Sequence, residues 1–159
     1  MRCWLPLAAV LLAGPVYADA LMRPVAKGGD WAAAERAPTK GAPANVCLAI
    51  DATVGMAFQA DATGTVLEVQ NPHWDLPATS DWTIKITVGS DVRVLPVTSN
   101  TTNIVAANIT PAVLSALLDE MEKAPSMRVV VGRTTPLTVS LAGSAVVLNA
   151  FRTCAMRIG

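Results

Sequence analysis

The chain is poor in the residues that carry chemistry. Its 159 residues include one histidine, one tyrosine and three cysteines, with aromatic residues at 4% and charged residues at 15%. A single histidine leaves no ligand set for a zinc centre, which draws on several Cys and His side chains. Asp51, Asp61, Asp75, Asp81 and Asp91 lack the spacing of a calcium loop and read as turn or strand-end residues. No hydrolase elbow is present either: Leu141-Ala142-Gly143-Ser144-Ala145 lacks the second glycine that the G-x-S-x-G turn needs. Charge of one sign is missing too. Twelve Lys and Arg balance twelve Asp and Glu, so neither nucleic acid nor an anionic membrane surface has a basic patch to meet. The long apolar run, Trp4 to Ala13, is too short to cross a bilayer.

That run has a different meaning. Arg2 ahead of it and Val16-Tyr17-Ala18 behind it complete the pattern of a secretory signal peptide over residues 1–18. Pro15 stands where a lipoprotein box would need cysteine, so no lipid anchor is expected. Cleavage removes Cys3 and leaves Cys47 and Cys154. Two cysteines in an oxidising compartment imply one disulfide, the alternative being two free buried thiols. The expected location is periplasmic or secreted, with no membrane span in the mature form and no cofactor. Hydrophobic residues at 52%, largely Ala and Val, are enough for the core of one domain.

Residues 19–45 are rich in Ala, Pro, Gly and Lys and read as a flexible leader. Asp30 could cap a short helical turn through Arg36, with Trp31 packed back on the body. From residue 46 to 159 the pattern is that of a single domain. Short strands are expected at 46–51, 54–59, 65–70, 82–88, 92–98, 103–107, 127–131 and 137–141, and Pro96 assigns the fifth of these to an edge or a bulge. Thr110-Pro111 opens a helix that Pro125 ends, with Val113, Leu114, Leu117, Leu118 and Met121 on one face. Ser144 precedes a second helix, whose spacing turns Val147, Leu148, Phe151 and Cys154 inward. The fold class is therefore α+β: mainly antiparallel sheet, or a sandwich, with helices near 111–124 and 144–155.

The segment Asn71 to Ser80 is a loop by every local sign, and it carries His73, Trp74 and Asp75 between two prolines. An aromatic residue on a stiffened loop is a typical interface anchor. The opposing reading places Trp74 under the loop, plugging the end of a sheet. His73 beside a carboxylate could also serve a general acid–base role if the fold brought a further group to it.

Gly29-Asp30-Trp31 ahead of Cys47, and Ser140-Leu141-Ala142-Gly143-Ser144 before a helix with Ala and Phe, resemble the invasion-associated locus B family of bacterial periplasmic proteins. Cysteines that the family carries in its middle are absent here, so its disulfide pattern is not carried over. The resemblance implies a β-rich, non-enzymatic protein of host interaction or envelope maintenance. The expected function is binding of a protein partner, in the cell envelope or outside the cell, through surface loops. A small hydrolase centred on His73 and a periplasmic inhibitor or immunity protein are the alternatives.

Overall fold

The computed structural model describes residues 21–77 and 82–158. The segment read as a signal peptide, Cys3 and the loop residues 78–81 lie outside them.

The segment expected to be a flexible leader is instead a hairpin within the main sheet: β1 (Leu21–Gly28) and β2 (Trp31–Ala37). The helical turn expected after Asp30 is likewise a strand. Ala, Glu and Arg favour helix locally, but alternation in β2 turns Trp31, Ala33 and Glu35 to the interior, where pairing and burial outweigh a propensity difference of a few tenths of a kcal/mol per residue. Trp31 is wholly buried, and its indole N–H donates to the Ser140 carbonyl at 2.9 Å. Pro24 sits on the outermost strand beside a register shift, a place where a missing ladder donor is tolerated.

The antiparallel meander continues through β3 (Val46–Asp51), β4 (Met56–Asp61) and β5 (Gly64–Gln70). The chain then crosses to a second sheet as the hairpin β6 (Thr83–Val88) and β7 (Asp91–Pro96), and returns as β8 (Ser99–Asn100) and β9 (Ile104–Ile109). Helix α1 (Pro111–Met121) leads to β10 (Ser126–Val131) and β11 (Leu137–Ser140), and α2 (Ala145–Ile158) closes the described chain. The sheets are β1-β2-β3-β4-β5-β9-β8 and β11-β10-β6-β7, antiparallel throughout. Gly89 takes φ +57° in the β6–β7 turn, the left-handed value that a two-residue hairpin loop needs at its first position. Pro96 ends the edge strand β7, as a residue without an N–H should.

Period-2 alternation places three rows of side chains on the inner face of the larger sheet. Trp31, Asp51, Met56, Val69 and Val105 form one row; Ala33, Ala49, Phe58, Leu67 and Ala107 the next; Glu35, Cys47, Ala60, Thr65 and Ile109 the third. Helix α2 packs over the β1–β4 part of this face, and α1 lies between β5 and β6. The alanines of the middle and third rows leave room for α2. Phe151 reaches Phe58 at 6.0 Å between ring centroids, and Phe58 stacks on Trp31 at 6.4 Å. Close by, Cys47 of β3 and Cys154 of α2 form a disulfide with Cα atoms 5.8 Å apart. One continuous core runs from Trp31 through both sheets to Cys154.

The turn between β1 and β2 meets the turn before α2 backbone to backbone. A Cβ on Gly29, whose φ is +59°, would stand 1.9 Å from the Ala142 carbonyl oxygen, and one on Gly28 would stand 2.1 Å from that of Gly143. Only glycine fits there. The two short sequence patches that carry the family resemblance are thus the two halves of one contact, closed by the Trp31–Ser140 hydrogen bond.

Candidate functional site

Asn71 organises the loop that bears the candidate residues. Its side-chain oxygen accepts from the His73 amide at 2.9 Å, its carbonyl from the Trp74 amide at 3.1 Å, and its own amide donates to the Asn103 carbonyl at 2.9 Å. The Leu76 amide donates to the Thr102 carbonyl at 2.7 Å, and the Leu76 side chain is buried. Both ends of the loop are therefore fastened to the segment before β9.

Within it the three residues separate. Trp74 is half-buried and packs against the core, so it anchors the loop from beneath, while His73 and Asp75 are exposed. His73 borders a concavity of about 460 Å³ walled by the β3–β4 turn (Ala52–Gly55), Gln70, Asn71 and Leu137. Among the described residues, the polar side chains on that rim are a hydroxyl, two amides and the imidazole, with no carboxylate. The Thr53 hydroxyl is already engaged, donating to the buried Asp51 Oδ1 at 2.5 Å, where the Thr53 amide also donates at 2.8 Å. Among the described residues no hydrogen bond or ion pair reaches the His73 ring. The rim is partly apolar, and among the described residues lining it none is a second acid or base beside His73.

A second cluster escapes sequence reading altogether. Glu35, 3% exposed, accepts from two arginines, Arg23 of β1 on Oε2 and Arg157 of α2 on Oε1. Burial pushes its carboxyl up, but the hydrogen bonds and charges of Arg23 and Arg157 outweigh this and hold it below the ordinary value of 4.5. The only available signal is the placement of Glu35 two residues beyond Ala33 and four beyond Trp31 on an otherwise apolar strand face, and that signal is invisible until residues 31–37 are read as a strand.

Glu35 makes stability depend on pH with a defined sign. A folded-state value below the unfolded one gives stability that is complete above the unfolded value and is lost as pH falls through the folded value. Asp61, held low by the Thr63 hydroxyl and amide, acts in the same direction. In urea unfolding, Glu35→Gln should be less stable than the parent at about pH 6, with the gap closing as pH falls below the ordinary carboxylate range. A gap that stays constant with pH would contradict the linkage.

Two antiparallel sheets of seven and four strands, with two helices and an inter-element disulfide, define the class: an α+β sandwich. No protein-family model and no curated protein sequence matches the chain. A solved structure does. The crystal structure of invasion associated protein B from Bartonella henselae superposes with a TM-score of 0.51 at 14% identity, covering 86% of this chain and 98% of that one. At that identity the likeness is one of fold, and it agrees with the resemblance carried by the two short patches. Among the described residues no helix is long and apolar enough to cross a membrane.

Proposed function

We propose that this is an exported protein of the periplasm or the extracellular space that binds a protein partner, in the envelope or beyond the cell, without catalysing a reaction. The observation that carries this reading is the loop 71–77, fixed by hydrogen bonds at both ends and by Trp74 beneath, holding His73 and Asp75 outward on a rigid frame. Rigid presentation lowers the ordering cost of association. The buried disulfide supports an oxidising compartment. The fold shared with an invasion associated protein supports a role at the envelope or towards a host.

The test is capture from a native envelope extract with the protein as bait, comparing the parent with the double variant His73→Ala/Asp75→Ala. Both side chains are exposed, so the variant should unfold within about 0.5 kcal/mol of the parent while losing the specific partner. Retention of that partner by the folded variant would remove this loop from the interface. Trp74→Ala is the poorer probe, because it also takes away the loop's support.

A further inference from the structure

We propose that the concavity beside the Arg23–Glu35–Arg157 cluster is a binding site for a small oxyanion, a phosphate or a carboxylate carried on a soluble or lipid-borne ligand. It lies at the opposite end of β2 and β3 from the turn that borders His73, since Arg36 pairs with Val46 at this end and Trp31 with Asp51 at the other. About 270 Å³ is enclosed between Arg23 and Glu35 on one side and the β2–β3 loop, with Thr39, Gly41, Ala42 and Ala44, on the other.

Charge and donors both favour an anion there. Two guanidinium groups against one carboxylate leave one positive charge, and Lys40 adds another on the loop itself. Each carboxylate oxygen of Glu35 is already taken by one arginine nitrogen. A guanidinium has five N–H donors, and the side chains of Arg23 and Arg157 remain 71% and 58% exposed. Most of their donors therefore face outward, while the buried Glu35 fixes where they point. Arg23 lines the concavity itself, while Arg157 holds the other oxygen of Glu35 and adds its charge from beyond the lining.

The facing loop supplies backbone donors as well. Among the described residues, the loop amides bonded to backbone are those of Ala42, to the Thr39 carbonyl at 3.2 Å, and Asn45, to the Arg36 carbonyl at 2.9 Å. The amides of Thr39, Lys40, Gly41 and Ala44 are left for a ligand or water. Gly41 takes φ +82°, and nothing stands within 4 Å of the position its Cβ would fill. A fixed guanidinium on one wall and free amides on the other are groups that recognise phosphate and carboxylate.

The experiment is a titration of the disulfide-bonded protein, followed by amide and arginine Nε–H NMR at constant ionic strength, with inorganic phosphate in one arm and acetate in the other. Saturating shifts confined to Thr39–Ala44 and Arg23 are expected in at least one arm, and the arm that saturates at lower concentration identifies the headgroup. Arg23→Gln should weaken binding about tenfold, the loss of one charge-assisted hydrogen bond. Ala44→Leu should abolish binding by filling the cavity while leaving every charged group in place, and it decides the matter if Arg23→Gln loosens β1. Shifts that grow linearly with both salts, or saturating shifts that both variants leave unchanged, would overturn the assignment.

Discussion

Replacing Cys47 and Cys154 together by serine is expected to lower the unfolding free energy by about 4 kcal/mol under oxidising conditions. The bond spans a sequence separation of 107 residues. Chain entropy alone gives about 4.7 kcal/mol for a loop of roughly that length, from which native strain subtracts. For a domain of this size the loss corresponds to a fall in melting temperature on the order of 10 to 20 °C. Excess reductant should bring parent and variant together once the parent's bond has opened. Both sulfurs are buried, with the cysteines 0% and 2% exposed, so reduction of the folded parent should be slow and should accelerate with unfolding. Parent and variant melting alike without reductant would show that the bond adds nothing to stability.

Trp31→Ala is expected to be about as severe, at roughly 3 to 5 kcal/mol. Trp31 is fully buried, stacks on Phe58 and donates to the Ser140 carbonyl, so the truncation removes a large apolar surface, leaves a cavity under α2 and orphans an acceptor. Trp31→Phe keeps part of the stack and loses the hydrogen bond, so about 1 to 2 kcal/mol is expected. Urea denaturation separates the two. Hydrogen exchange should show the damage of Trp31→Ala spreading first into β1 and β2, whose contact with the turn before α2 that indole closes. A cost below about 1 kcal/mol for the alanine variant would mean that the hairpin is not part of the cooperative unit.

Much of the body was legible because its signals were strong and local. Ile84, Ile86 and Val88 alternate with polar residues and are buried on β6. Thr110 caps α1 by accepting from the Val113 amide, with Pro111 next to it. Cys154 shares a helix face with Phe151 and meets Cys47, the pairing that cysteine count and compartment imply. The N-terminal hairpin was not legible. Glycines and prolines between 24 and 43 look like linker punctuation, and Ala32-Ala33-Ala34-Glu35-Arg36 favours helix locally. What makes β2 a strand is the neighbouring β3 and the burial of Trp31, neither of which is local. The loop that carries His73 and Asp75 was legible from its prolines and polar residues, while the half-burial of Trp74 beneath it required the packing. The arginine–glutamate cluster depends on residues 23, 35 and 157, and no local pattern joins positions so far apart.

Helix α2, last in the described chain, covers β1 to β4, which come first. A polypeptide emerging from its amino end therefore has this face of its large sheet uncovered until α2 arrives. Contacts between such distant parts fold slowly, and the joining of Cys47 to Cys154, whose two electrons pass to an external oxidant, must wait for the same moment. Such a chain is expected to stay pliable until α2 docks, so removing residues after Val147 should yield a product that proteases clear rather than a smaller stable domain.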